Sequence, residues 1–144
     1  MSPEQRPFDR LGVVAVLIRQ GRFLVIRRSQ LVVAPRAYCF PGGAIEPGES
    51  EEEALVRELR EELGVAIRPV RHLWRSTTPW NVRLSWWLAE LDPQAEPQPN
   101  PAEVESVHWY TSAEMRQLPE LLESNRHFLD ALARQEIELA VDGA

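Results

Sequence analysis

The chain has 144 residues, 44% hydrophobic and 26% charged, with a formal net charge of -6 at pH 7. This composition is ordinary for a globular protein and excludes general disorder, and the length predicts one domain over residues 1–144. All 16 basic residues are arginines scattered along the chain, so we expect no surface for duplex nucleic acid. Binding of an anionic ligand would need positive charge concentrated locally, by arginines or by metal ions.

The single cysteine and the absence of long apolar segments limit the remaining classes. Cys39 has no partner for an internal disulfide, and no nearby His or Lys would stabilise its thiolate, so we predict a packed residue without a chemical role. The sequence shows no charged-then-apolar leader and no apolar span of membrane length. We therefore expect a cytoplasmic protein with no membrane partner.

The first 50 residues have the pattern of a β-hairpin followed by a loop. Two apolar runs, at 12–18 and 23–26, flank a polar break at 19–22 and predict paired strands. Residues 30–40 are mixed and contain Pro35, which indicates a loop that can include one short strand. Glycines and prolines between 41 and 48 predict a further loop.

A helix is predicted over residues 50–63. Ser50 followed by Glu53 has the form of a capping box. Leu55, Leu59 and Leu63 then form one apolar stripe, and Gly64 stands where a left-handed residue would end the helix.

The second half predicts alternating strands and a final helix. Strands are expected near 66–76, 82–91 and 104–110, and a C-terminal amphipathic helix over about 119–139. Four prolines make 92–101 a surface loop. The mixture predicts an α/β domain with a mixed sheet packed between helices, and it leaves the strand order open.

The predicted helix carries three carboxylates that point to metal chemistry. Glu58, Glu61 and Glu62 lie one, three and four residues apart, so they converge on one side of the helix and repel one another near its negative end. A hard cation such as Mg²⁺, or Mn²⁺ in its place, would relieve that repulsion. Taken alone, the helix also fits a solvated face on which Arg57 makes ordinary ion pairs.

The loop before the helix decides between these readings. Gly43, Glu49, Arg57-Glu58-Leu59, Glu61-Glu62 and Gly64-Val65 match the Nudix box, G-x5-E-x7-R-E-U-x-E-E-x-G-U with U aliphatic, at every specified position over residues 43–65. The chain thus resembles the Nudix hydrolases. The resemblance implies an α/β/α sandwich and Mg²⁺-dependent cleavage of a phosphoanhydride bond in a nucleoside diphosphate derivative.

The resemblance also suggests what individual residues do. It implies that Glu58 and Glu62 bind metal, joined by Glu61 and the carbonyl of Gly42, and that one of the glutamates is the general base, without deciding which. A further acidic ligand often follows the box, and Glu103 is our choice. Glu105 is the fallback.

A pair within the box is predicted to hold this arrangement in place. Glu49 and Arg57 can form a charge-assisted pair that locks the loop to the helix, so that the carboxylates are positioned before substrate arrives. Both are included with the catalytic set for that reason.

The substrate is less well defined. Length and strand pattern resemble the MutT-type enzymes, which implies a (d)NTP or modified dNTP cleaved to a nucleoside monophosphate and pyrophosphate. The alternatives are an ADP-ribose or other nucleotide-sugar pyrophosphatase, and a Nudix-fold module that senses a nucleotide without cleaving it. A monomer and a homodimer are both open.

Five side chains are candidates for contacting a nucleotide. Arg27 or Arg28 would hold phosphates, or simply keep a strand soluble. In the strand 82–91, Arg83 and Trp87 share one face, which suits a nucleotide or a partly covered amphipathic strand equally well. Trp80, in a predicted loop, is our first choice for nucleobase contact, ahead of Trp74 and Trp109.

Overall fold

The computed structural model describes residues 10–139, so the ends of the predicted domain, 1–9 and 140–144, lie outside the described residues. The secondary-structure elements in chain order are β1 (Arg10–Arg19), β2 (Arg22–Arg28), β3 (Tyr38–Cys39), β4 (Gly42–Ala44), α1 (Glu51–Leu63), β5 (Ile67–Thr77), β6 (Val82–Leu91), β7 (Val104–Tyr110), α2 (Ser112–Arg116) and α3 (Glu123–Ala133). No helix among the described residues is both long and apolar enough to cross a membrane.

Strand β1 organises the sheet. It pairs in parallel with β6 from Arg10↔Val82 to Leu17↔Ala89, and its other edge pairs with β4 in antiparallel fashion. Its last residues pair with β2, which also contacts β3 and β7, while β5 lies antiparallel on the far side of β6. The sheet is mixed, as predicted, and the path β3-β2-β1-β6-β5 supplies the strand order.

The predicted hairpin between β1 and β2 is confirmed. Its turn residues, Gln20 and Gly21, both have positive φ angles of 53° and 76°. Positive φ at both central positions is the conformation that matches the twist of two paired strands, and glycine adopts it without steric cost.

Helix α1 also confirms the prediction. The Ser50 side chain accepts a hydrogen bond from the Glu53 backbone, and the Glu53 side chain accepts one from the Ser50 backbone. Gly64 ends the helix in the left-handed conformation. The leucine stripe is fully buried.

Two hydrophobic cores lie on opposite faces of the sheet. In β1, Val13 and Ala15 belong to the core that includes the leucines of α1, whereas Val14 and Val16 belong to the core that includes Phe128 of α3. The alternation follows from the two-residue period of a strand. The result is the predicted α/β/α sandwich.

Two predicted boundaries are wrong. The helix expected over 119–139 is confined to Glu123–Ala133, because residues 120 and 122 instead exchange backbone hydrogen bonds with Tyr38 and because Gln135, with φ of 64°, ends it. Residues 42–44, expected in a loop, form β4 because their backbone groups pair with β1.

Candidate active site

Arg57 of α1 connects the loop of the box to the acidic face of the helix. Its Nε and Nη2 atoms donate to the two carboxylate oxygens of Glu49 at 2.6 and 3.0 Å. Nη2 also donates to the carbonyl of Ala44, and Nη1 donates to Glu58 at 3.0 Å and to Glu61 at 3.2 Å. The hydrogen bond from Arg57 lowers the pKa of Glu49 and, in return, raises the pKa of Arg57.

Two glycines of β4 allow the close approach of the helix and the strands. A Cβ atom at Gly43 would stand 2.4 Å from the carboxylate carbon of Glu58, and one at Gly42 would stand 2.1 Å from the carbonyl oxygen of Val13. Neither contact is sterically possible without moving the backbone or the carboxylate. Gly43 therefore forms a cradle for the Glu58 carboxylate, and Gly42 allows β4 to lie close to β1.

Glu62 is buried beside Glu58, with only 5% of its surface exposed. Burial, a hydrogen bond with Glu58 and the charges of Glu58 and Glu103 raise the pKa of Glu62 well above its ordinary value. A long hydrogen bond of 3.4 Å from the Gly42 amide acts on this pKa in the opposite direction. Glu62 thus carries the unfavourable electrostatics that the helix spacing predicts.

Glu103, immediately before β7, reaches the same region from a distant part of the sequence. Its Oε2 atom is buried without a hydrogen-bond partner, and burial followed by the charges of Glu58 and Glu61 raises its pKa. Glu105, the fallback, is instead paired with Arg36 at 3.2 Å and lies near Arg27. The structure brings Glu103, and not Glu105, to the carboxylates of α1.

These groups fit a divalent cation. Buried carboxylate oxygens, one of them without any partner, are hard anionic ligands of the kind that Mg²⁺ and Mn²⁺ prefer. Among residues 10–139 no three acidic, His or Cys side chains lie close enough together to hold an ion by themselves. Mg²⁺ needs no such cage, because it retains several waters and usually binds only one or two carboxylates together with substrate phosphates.

A cavity of about 260 Å³ opens next to the two glycines. Its lining comes from β1, β2, β3, β4, β6 and the start of α3, and includes Arg28, Gly42, Gly43, Val82, Leu84, Leu122, Ser124 and Asn125. Arg28 lines this cavity, whereas the Arg27 side chain is bound to Glu120 and to the carbonyl of Arg36. The Arg28 side chain donates from Nε to the carbonyl of Val33 at 2.7 Å, and its charge acts on the Glu103 carboxylate.

The tryptophan and arginine candidates are distributed over both faces of the sheet. Val82 and Leu84 line the cavity, but Trp87 lies in the other core and donates from its indole to Glu51 of α1. Arg83 lines a small separate cavity with Glu51 and Arg75. Neither Trp87 nor Arg83 is brought to the cavity beside the glycines.

Trp80 differs from the other tryptophans in being 76% exposed. It stands in the turn between β5 and β6, which is fixed by hydrogen bonds from the Trp80 and Val82 amides to the Thr78 hydroxyl. Trp74 packs on Trp86 and Phe128, and Trp109 packs under Arg19. Trp80 is thus the tryptophan available to a ligand, two residues from Val82 in the cavity wall.

The contribution of α3 to the cavity was not predicted from the sequence. Asn125 is buried, and its side-chain oxygen accepts a hydrogen bond of 2.8 Å from the Phe40 amide, which ties α3 to the loop before the glycines. No local sequence signal marks this role, since the two residues are 85 apart. Cys39 also lines the cavity wall, but burial raises its pKa to about 11, in keeping with the absence of a predicted role.

The fold and the site together define a class: an α/β/α sandwich whose helix places carboxylates beside a glycine loop and an open cavity. Comparison with known proteins identifies the family. The NUDIX domain model matches residues 9–132, and the chain therefore belongs to the Nudix hydrolase family.

Relatives within the family differ in length and name. The NAD-capped RNA hydrolase NudC of Deinococcus radiodurans is 35% identical over 124 residues, which are 81% of this chain and 43% of that protein; the chain spans less than half the length of that relative. The crystal structure of the MutT protein from Methanosarcina mazei Go1 has a TM-score of 0.75 at 21% identity, covering 92% of this chain and 97% of that one. DR0079 from Deinococcus radiodurans has a TM-score of 0.70 at 27% identity, covering 90% and 86%.

The electrostatics of Glu62 predict a change in stability. Glu62→Gln should raise the free energy of unfolding of the metal-free protein by about 1 kcal/mol at pH 8, because it removes a buried charge held beside two others. A carboxyl group whose pKa is raised in the folded state stabilises the fold when protonated, so this advantage should shrink as the pH falls to 5. Urea denaturation in EDTA at both pH values measures it.

Glu52→Gln on the exposed side of α1 is the matched control and should change the stability little at either pH. A loss of stability in Glu62→Gln at pH 8 would show that the buried charge is well compensated, contrary to this account.

Proposed function

We propose that the chain is a hydrolase that cleaves a phosphoanhydride bond of a nucleoside diphosphate derivative with the help of Mg²⁺ or Mn²⁺. The observation that carries the proposal is the convergence of Glu58, Glu62 and Glu103 beside the cavity lined by Gly42 and Gly43. Anionic phosphates cannot approach that many carboxylates unless cations intervene. Metal ions at this site would therefore allow a protein with an acidic net charge to bind an anionic substrate.

Each group of the site has a role in this reaction. Glu58, Glu62, Glu103 and the carbonyl of Gly42 would hold the metal ions, with Glu61 at the exposed end of the set. Bound divalent ions would lower the pKa of a water molecule and neutralise the phosphates.

The protein side chains supply orientation and proton transfer. Arg57, fixed by Glu49, keeps the Glu58 carboxylate pointed at the cradle. One of the three helix glutamates accepts the proton from the water that attacks phosphorus. The nucleoside monophosphate and the remainder of the substrate then leave separately.

Two substrate classes remain for this site. A (d)NTP or modified dNTP, giving a nucleoside monophosphate and pyrophosphate, is the class that the sequence pattern favours. A dinucleotide of the NAD type is the second, supported by the relatives named as NAD-capped RNA hydrolases. ADP-ribose, cleaved at the same kind of bond, belongs with the second class.

A module that senses a nucleotide without cleaving it is the rival from another functional class. Such a module has no need of a proton acceptor or of a metal-activated water. The complete set of carboxylates and the bidentate Arg57–Glu49 pair support the enzyme.

Turnover assays test the central proposal. The purified chain is incubated with dNTPs, oxidised dNTPs, NADH, NAD-capped RNA, ADP-ribose and dinucleoside polyphosphates, with Mg²⁺, Mn²⁺ or EDTA. We expect metal-dependent release of a nucleoside monophosphate from one class, with kcat reduced at least about 100-fold in Glu62→Gln.

The control is Glu52→Gln, which should retain full activity. Binding of a nucleotide by calorimetry without turnover of any compound would favour the sensing module. Turnover that persists in EDTA would contradict the metal requirement.

The two neighbouring arginines give a second prediction. Arg28→Ala should raise KM for the nucleotide about tenfold, since Arg28 lines the cavity where the phosphates would lie and an ion pair with phosphate is charge-assisted. Arg27→Ala should leave KM unchanged, because its guanidinium is bound to Glu120. Steady-state kinetics with saturating Mg²⁺ measures KM for both variants. Equal KM values would show that Arg28 does not contact the phosphates.

Trp80 gives a third prediction, for the nucleobase. Trp80→Ala should raise KM about tenfold, the effect of losing one base–aromatic stack worth roughly 1 to 3 kcal/mol, while kcat and the unfolding free energy stay unchanged because the side chain is exposed. Leu31→Ala, which removes an equally exposed apolar side chain elsewhere, is the control. A KM unchanged in Trp80→Ala would exclude Trp80 from substrate contact.

A further inference from the structure

Asn100 in the proline-rich loop makes an unusual number of connections. Its backbone amide donates to the carbonyl of Glu62 at 2.9 Å, and its side-chain nitrogen donates to the carbonyl of Glu61 at 3.2 Å. These carbonyls belong to the last turn of α1, where a helix has no internal donors for them. Asn100 therefore caps the end of the helix that carries the metal-binding glutamates.

The same residue also shapes the segment that leads to Glu103. The Asn100 side-chain oxygen accepts a hydrogen bond from the Ala102 amide at 3.2 Å, and its carbonyl accepts from the amides of Glu103 at 2.9 Å and Val104 at 2.7 Å. The turn formed in this way places Glu103 three residues after the contact with the helix. The Asn100 side chain thus links the end of α1 to the turn at Ala102, and its backbone carbonyl holds the Glu103 amide.

The far side of this turn is attached to β2. The Ser29 amide donates to the carbonyl of Glu103 at 3.1 Å, and the buried Ser29 hydroxyl donates to the carbonyl of Ala102 at 3.0 Å. The turn is held between the end of α1 and the end of β2. The Gln98 amide also holds the loop to α1 by donating to the carbonyl of Leu63 at 2.8 Å. Among these residues, Asn100 is the one that bonds both to the helix and to Glu103.

We propose that Asn100 is a positioning residue for metal binding, which sets the distance between the Glu103 carboxylate and the glutamates of α1. The inference rests on the proposed function. The buried Oε2 atom of Glu103 has no hydrogen-bond partner, so no hydrogen bond at that atom holds the side chain in place. Its position depends on the backbone that Asn100 fixes.

The test measures Mn²⁺ affinity directly, by isothermal titration calorimetry of the metal with the full chain and no nucleotide. Loss of a group that orients a metal ligand commonly reduces affinity by about 10- to 100-fold. We expect Asn100→Ala to raise the Kd for Mn²⁺ about tenfold. Activity of the same variant should fall at low Mn²⁺, recover at high Mn²⁺, and show an unchanged KM for the nucleotide.

A double-mutant comparison distinguishes positioning from general loosening of the loop. Glu103→Gln alone should weaken Mn²⁺ binding, and adding Asn100→Ala to it should cause no further loss, because the residue acts through Glu103. Asp92→Ala is the matched control. It removes a side-chain acceptor of the same kind, bound to the Gln94 amide at 2.8 Å in the same loop, and should leave the Kd unchanged.

Each other outcome overturns the proposal. If the losses of Mn²⁺ affinity add in the double variant, or if Asp92→Ala raises the Kd as much as Asn100→Ala does, the loop affects metal binding only through the stability of the fold. If Glu103→Gln leaves the Kd unchanged while Glu62→Gln abolishes Mn²⁺ binding, the proposed role of Asn100 is wrong. The hydrolase proposal would not be affected by that result. Wild-type protein that binds no Mn²⁺ would defeat both.

Discussion

The structure depends on holding several carboxylates together in a place where they repel one another. Glu62 is buried next to Glu58, and Glu103 arrives from another part of the chain with an oxygen that has no partner. Arg57 offsets part of this charge through Glu58 and Glu61, but its strongest bonds go to Glu49. Under the proposed function, the remaining repulsion is the cost of a site that is ready for cations before any substrate binds.

The helix that carries this charge is held at both ends. At its start, the capping box of Ser50 satisfies backbone donors, and Glu51 accepts hydrogen bonds from Trp87 of β6 and Arg75 of β5. At its end, Gly64 and Asn100 satisfy carbonyls that would otherwise lack donors. Such attachments resist the displacement that charge repulsion would cause.

The two faces of the sheet contribute to different parts of the candidate site. The face covered by α1 anchors the acidic helix, and Trp87 serves that purpose by bonding to Glu51. The opposite face, with α3, supplies Val82, Leu84 and Asn125 to the wall of the cavity. The proposed catalytic groups on α1 and these proposed substrate-contacting residues thus come from opposite sides of the sheet.

The sequence by itself determined what depends on neighbours along the chain: the hairpin, the capped helix, its buried leucines and the spacing of its glutamates, because helical and strand periods fix these locally. Only the tertiary structure shows how the positions of Arg27 and Arg28, and those of Glu103 and Glu105, differ. The β2–β7 pairing shifts register between Arg27 and Arg28, which places Ser106 opposite Arg27 and Val104 opposite Arg28, and leaves Glu105 as the extra residue. Such a bulge breaks the two-residue alternation from which side-chain directions are read, so the long-range pairing of strands was needed to bring Glu103 to the helix.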